Sequence, residues 1–194
     1  MVAALAGRRA PLLLRGIGNG SGAPAAQPPL SEALQKELSA VQDLLAGGTA
    51  EFEGSQQSRS IVVFDEIVAR LESLRRQGTL PPRGREILAQ AYELRGRAYY
   101  NIGLQEKAAD SFRSLVQLLP QYSISREKVS PKVVDYFNSI KKALVGYLAV
   151  STKPPGARVS LNGEFLSLTD FFPVEVLAGE YTAEITREGY QTET

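Results

Sequence analysis

The feature that most constrains this chain is a change of periodicity at Gly146. Before it, apolar residues recur at helical spacing; after it they alternate, so that Leu148 and Val150 share one face of an extended strand. A Pro-Pro-Gly break follows at 154–156, and a second alternating run closes on Asn162-Gly163, a strong hairpin signal. The sequence therefore predicts an α+β protein of two modules, helices first and a small antiparallel β module second.

The composition excludes several classes of function. The 194 residues include no His and no Cys, so imidazole acid–base catalysis, thiolate nucleophiles and the usual zinc sites have no side chains to use. The sequence also has no phosphate-binding glycine loop and no nucleophile-elbow motif. We therefore predict a protein that is not an enzyme, with no catalytic residues, no metal site and no cofactor. A net charge of +1 gives no support to nucleic-acid binding.

The chain divides into three segments by pattern. Residues 1–30 have the composition of a disordered leader or a degenerate export signal, with Arg8-Arg9 ahead of a short apolar run and Ala23-Pro24-Ala25 as a cleavage-like site. Residues 31–145 are predicted to be helical, and residues 146–194 to form the β module. No stretch approaches the roughly 20 apolar residues of a transmembrane helix.

Apolar stripes and breaker residues predict five helices in the middle segment. Ser31 caps the first, and Gly47-Gly48 is expected to end it. The second helix is predicted to end before Gly78. The third is predicted to run from 85 to 101 and the fourth from 105 to 119. The fifth is predicted to begin at Ser130-Pro131.

The third and fourth helices carry a spaced set of aromatic and small residues. Its members are Tyr92, Gly96, Tyr99, Gly103, Ala108, Phe112, Leu115 and Pro120. This pattern resembles one tetratricopeptide repeat over about residues 89–122. In that reading Gly96 and Ala108 allow two helices to approach closely, and residues 31–77 are a degenerate copy with a long inter-helix loop around 47–54.

The β module resembles a PEGA domain over about residues 146–190. The resemblance rests on Pro154-Pro155-Gly156-Ala157 and on the later segments Leu177–Tyr181 and Arg187–Tyr190, whereas Ser167–Pro173 departs from the family pattern. It implies an antiparallel β-sandwich in a protein of the bacterial cell envelope, periplasmic or extracellular, with a cytoplasmic location as the alternative. Because Gly189-Tyr190 introduces a further strand in this family, we expect the domain to be C-terminally incomplete, and to be completed by following residues or by a partner strand.

Two surfaces are candidate binding sites. Positions that line the concave groove in tetratricopeptide repeats are occupied here by Gln90, Glu93, Arg97, Tyr100 and Asn101. This polar face suits an extended peptide, although an ordinary solvent face has the same appearance. We predict an adaptor or scaffold whose helices bind a protein segment and whose β domain docks to the envelope or to a second partner. The alternative is a carbohydrate-binding module that stacks surface polysaccharide on Phe165, Phe171 and Phe172.

Overall fold

The structure, a computed structural model, describes the backbone of residues 2–6 and the whole of residues 31–194. It divides into two compact units. The helical unit occupies residues 31–144 of the described chain, and the β unit combines residues 2–6 with residues 145–194. The expected order of helices followed by antiparallel strands is confirmed. The predicted leader falls largely on residues 7–30, outside the described residues.

The helical unit consists of five helices. They are α1 (Glu32–Glu53), α2 (Gln57–Arg76), α3 (Pro82–Asn101), α4 (Gln105–Leu118) and α5 (Pro131–Leu144). The Ser31 hydroxyl accepts a hydrogen bond from the Leu34 amide at 3.3 Å, so it caps α1 as predicted. The predicted end of α1 is wrong, because the helix passes through Gly47-Gly48 and ends only at Gly54. The loop to α2 is therefore three residues long, Gly54–Gln56.

Two glycines set the closest approaches between neighbouring helices. A Cβ on Gly48 would lie 2.9 Å from the ring of Phe64, and one on Gly96 would lie 2.5 Å from the ring of Phe112. Both distances are shorter than carbon atoms allow. Gly96 is therefore required for close approach, as expected, but the group it admits is the Phe112 ring rather than Ala108. The packing of Gly48 against Phe64 explains why this glycine does not end α1 despite its low helix propensity.

Phe112 is the centre of the helical core. It is fully buried, and its ring meets Phe137 of α5 edge-on at a centroid distance of 5.5 Å. The ring thus contacts α3 through Gly96 and α5 through Phe137. The largest fully buried side chains of the unit are Phe64, Phe112, Phe137, Leu38, Ile67, Leu71, Leu88, Leu115, Val41, Val116 and Val134.

The β unit contains two three-stranded antiparallel sheets. The strands are β1 (Val2–Ala6), β2 (Val145–Ser151), β3 (Arg158–Leu161), β4 (Glu164–Leu168), β5 (Val174–Leu177) and β6 (Ala183–Thr186). Their orders are β1-β2-β5 and β4-β3-β6. Side chains of both sheets form one buried cluster: Leu148, Val150, Ala157, Val159, Leu161, Val176, Ala183 and Ile185.

The predicted Asn162-Gly163 hairpin is confirmed. It joins β3 to β4, with Leu161 paired to Glu164. Both turn residues have positive φ, 51° and 84°, which the tight hairpin turn requires and which Asn and Gly tolerate. The Asn162 side chain also accepts a hydrogen bond from the Thr182 amide at 2.9 Å, which joins the turn to the start of β6.

The atypical segment 167–173 supplies the group that fixes the Pro-Pro-Gly turn. The Thr169 hydroxyl accepts hydrogen bonds from the amides of Gly156 and Ala157, at 3.1 and 3.0 Å, and lies 2.5 Å from the Thr152 hydroxyl. Thr169 is 5% exposed. One buried hydroxyl therefore joins β2, the turn and the segment after β4.

The expected further strand after Gly189 is present only as a single bridge. Ile185 of β6 and Glu193 exchange two backbone hydrogen bonds, of 2.7 and 3.0 Å. The tail thus lies against β6 at this point.

We expect Gly96→Ala to lower the free energy of unfolding by about 1–3 kcal/mol, because the new methyl group overlaps the buried Phe112 ring. Gly47→Ala is the matched control: it lies inside α1, and its Cβ would meet nothing within 4 Å. That variant should gain about 0.5–1 kcal/mol from helix propensity. Urea denaturation of both variants measures this, and equal effects would contradict the packing.

We expect Thr169→Val to destabilise the β unit by about 1–3 kcal/mol, because the Ala157 amide loses its acceptor while the side-chain volume is kept. The Gly156 amide keeps the Thr169 backbone carbonyl, at 2.6 Å, as an acceptor. Thr169→Ser retains the hydroxyl and should recover most of the loss. Hydrogen exchange at the Ala157 amide is the direct readout. Unchanged exchange in the Val variant would show that the Thr169 hydroxyl does not protect this amide.

Candidate binding surfaces

The five predicted groove residues lie on one face of α3, and the structure gives them unequal exposure. Gln90, in the middle of α3, and Asn101, at its C-terminal end, are exposed. Glu93, Arg97 and Tyr100, between them, are partly buried. The face is therefore not a uniform solvent face, since its centre is covered by other parts of the helical unit.

Glu93 and Arg97 form an ion pair at the centre of this face. The Arg97 guanidinium lies 3.0 Å from the Glu93 carboxylate, with side chains 19% and 15% exposed. The same guanidinium lies 4.9 Å from the ring centroid of Phe52 on α1, within cation–π range. The other carboxylate oxygen of Glu93 accepts a hydrogen bond from the Tyr122 hydroxyl at 2.5 Å. The pair thus connects α3 to α1 and to the segment between α4 and α5.

Aromatic rings extend the face towards α5. The rings of Tyr100 and Tyr136 are 5.2 Å apart and tilted by 46°. The Tyr136 hydroxyl donates to the Gln105 carbonyl at 2.9 Å, and the Lys141 ammonium donates to the Tyr122 carbonyl at 2.8 Å. The helices α1, α3 and α5 and the intervening segment therefore form one continuous surface of rings and paired charges.

We define the α3 face as Gln90, Glu93, Arg97, Tyr100 and Asn101 together with Phe52, Tyr122 and Tyr136. Sequence reasoning missed the last three. One signal could have found Phe52: it follows Gly48 by four residues, as Tyr100 follows Gly96. Gly48 and Gly96 are 48 residues apart, and so are Phe64 and Phe112. No comparable signal identifies Tyr122 or Tyr136, because their contacts with α3 are non-local.

A second polar network lies on the side of α3 that faces α2. The Tyr92 hydroxyl donates to Glu72 at 2.6 Å, and Arg95 donates to Asp65 at 2.9 Å and to the Ser111 hydroxyl at 3.1 Å. Asp65 and Glu72 are thus occupied in joining helices. This arrangement gives both carboxylates a structural role.

The three phenylalanines proposed for stacking lie in different environments. Phe172 is 92% exposed and Phe165 is 51% exposed, with the Arg158 guanidinium 4.3 Å from the Phe165 ring centroid. Phe171 is partly buried and packs against the core cluster of the β unit. Phe165 and Phe172 are therefore the accessible rings, and Phe171 contributes to the interior.

Within residues 31–194, no group of three acidic side chains is arranged to hold a metal ion. Among the described helices, none is both long enough and apolar enough to cross a membrane.

Comparison with known proteins finds a family match within the second unit. Residues 145–194 match the PEGA domain family, which agrees with the resemblance seen at the Pro154–Ala157 turn. No curated protein and no solved structure matches the chain. The PEGA domain is typical of periplasmic and extracellular proteins.

We predict that Tyr92 loses its proton only at strongly alkaline pH. Burial and the hydrogen bond to Glu72 raise the pKa of Tyr92 to about 12. Because the folded-state pKa lies above the unfolded value of about 10, its contribution to stability is complete below pH 10 and is lost as the pH rises through 12.

Ultraviolet titration at 295 nm, compared between the wild type and Tyr92→Phe, measures this ionisation. The wild type should show an additional absorbance step near pH 12. A difference between the two curves that is centred near pH 10 instead would show that Tyr92 is not held by Glu72.

Proposed function

We propose that this protein is a non-enzymatic adaptor or scaffold of the bacterial cell envelope. In this proposal the α3 face binds an extended segment of a partner protein, and the PEGA domain docks to the envelope or to a second partner. The proposed location is periplasmic or extracellular, in keeping with the usual location of PEGA domains. A cytoplasmic location is the alternative.

The observation that carries the proposal is the construction of the α3 face. Charges of both signs, amides and aromatic rings lie along one helix, and contacts from α1 and α5 hold its centre in place. Rings and amides that are already ordered bind an extended peptide with little loss of side-chain entropy. The exposed Gln90 and Asn101 amides would hydrogen-bond the peptide backbone, and Tyr100 would contact an apolar side chain.

The helical architecture supports the same proposal. Two hairpins, α1–α2 and α3–α4, repeat a glycine followed at 16 residues by a buried phenylalanine: Gly48 and Phe64, then Gly96 and Phe112. This spacing resembles that of tetratricopeptide repeats, whose inner helices line a peptide groove. The short α1–α2 loop makes the first hairpin a better copy than its sequence indicates. We likewise interpret the two sheets of the β unit, which share one core, as a small sandwich.

The second candidate function is carbohydrate binding by the PEGA domain. It is favoured by the exposed rings of Phe165 and Phe172. A glycan array probed with the wild type and with Phe172→Ala tests it: ring-dependent binding would support this candidate over protein docking.

The adaptor proposal predicts that a photo-crosslinking amino acid placed at Gln90 or at Asn101 captures the same partner protein in cells that make this chain. Both positions are exposed and at least two helical turns apart, so one extended segment would reach both. The matched control is Val62 on α2, which is 67% exposed but lies outside the α3 face.

Capture from both α3 positions and not from Val62 is the expected result. Equal capture from Val62, or unrelated products from the two α3 positions, would overturn the proposal.

A further inference from the structure

The outer edge of β2 accepts a strand from a distant part of the chain. β5 lies on one side of β2, and β1 lies on the other in a continuous antiparallel register from Val2–Ser151 to Ala6–Tyr147. Residues 7–144 separate the two strands along the sequence. The pairing therefore depends on backbone complementarity at this edge, not on a hairpin connection.

The resident strand is intrinsically weak. β1 is five residues long, and three of them are alanine, which is depleted in β-strands. The hydrogen bonds of a strand edge are made by backbone groups, so they are available to any extended segment. A segment richer in β-branched residues would pair in the same place more strongly.

The β2 side chains define what such a segment should contain. Leu148 and Val150 are buried in the shared core, whereas Tyr147 and Ser151 are exposed. In antiparallel pairing, residues directly opposite one another lie on the same face. An incoming strand therefore needs apolar residues opposite Leu148 and Val150 and polar residues at the positions between and beside them.

A cavity at the end of β2 adds a charge preference. It has a volume of about 660 Å³, and its lining includes Ser151, Lys153, Ala157, Arg187 and Glu193. Because Val2 pairs with Ser151, residues that precede an antiparallel strand in this register fall opposite Thr152 and Lys153, which line the cavity. The lining carries two cationic side chains, Lys153 and Arg187, and one carboxylate, Glu193, so an acidic residue preceding the strand is favoured.

We propose that the outer edge of β2 is a docking site for an extended segment of a partner protein, which adds as an antiparallel strand in place of β1. The segment alternates β-branched apolar and polar residues and has an acidic residue on its N-terminal side. This inference rests on the docking role proposed for the PEGA domain, and it gives that role a partner chemistry. It does not depend on the α3 face.

The test uses a fluorescent peptide of sequence Glu-Gly-Thr-Val-Thr-Val-Thr, with binding measured by anisotropy. The full chain should bind it about tenfold more weakly than a variant lacking residues 1–6, because β1 competes for the same edge. A second variant, with residues 2–6 replaced by five glycines, keeps the chain length and should behave like the deletion. Hydrogen exchange should show increased protection along Val145–Ser151 when the peptide is bound.

Two N-methylated peptides distinguish strand addition from simple hydrophobic contact. Methyl groups on the threonine amides and on the valine amides block opposite edges of the same strand. One peptide should bind like the parent and the other about tenfold more weakly or worse. Lys153→Glu should weaken binding of the parent peptide but not of the same peptide with Lys in place of Glu.

The proposal is overturned if the two methylated peptides bind equally, or if neither β1 variant binds the parent peptide more tightly than the full chain. If the peptide experiments fail but crosslinking at Gln90 and Asn101 still captures a partner, only the proposed β2 docking site is ruled out. If the peptide binds as expected but crosslinking at Gln90 and Asn101 captures no partner, the proposal for the α3 face is ruled out and the β2 docking site stands.

Discussion

The helical unit depends on the contact between the Gly96 backbone and the Phe112 ring. Because Gly96 has no side chain, the ring can lie against α3 while its edge meets Phe137 of α5. This packing fixes the position of α3 between its neighbours. An adjacent side of α3 carries Arg97 and Glu93, which are contacted by Phe52 of α1 and by Tyr122. An ordered polar face is thus a consequence of a close approach in the core.

The β unit is held together by a different kind of interaction, in which side chains satisfy backbone groups at turns. Thr169 accepts from the Gly156 and Ala157 amides, and Asn162 accepts from the Thr182 amide. These bonds allow a core of eight small and medium side chains to be covered by short strands. The outer edge of β2 is paired by β1, a strand from elsewhere in the chain, and it is this place that we propose a partner segment takes.

The sequence predicted correctly the features that depend on neighbouring residues in the chain. The Asn162-Gly163 hairpin and the Ser31 cap were found because each depends on a few adjacent residues. The end of α1 was predicted wrongly, since the packing of Gly48 against Phe64 overrides the low helix propensity of glycine. For the α3 face, the sequence indicated the residues on the helix itself. It could not indicate Tyr122 or Tyr136, nor the burial of Phe171 beside the exposed Phe172, because these depend on contacts between distant segments.

The central claim is that the α3 face is a preorganised unit in which Glu93 couples Arg97 to Tyr122. A double-mutant cycle with Arg97→Met and Tyr122→Phe, measured by urea denaturation, tests this claim most directly. Because the two side chains contact different oxygens of one largely buried carboxylate, we predict a coupling energy of about 0.5–3 kcal/mol. Additivity of the two substitutions to within about 0.3 kcal/mol would contradict the claim, since it would show that the residues act independently on an ordinary solvent face.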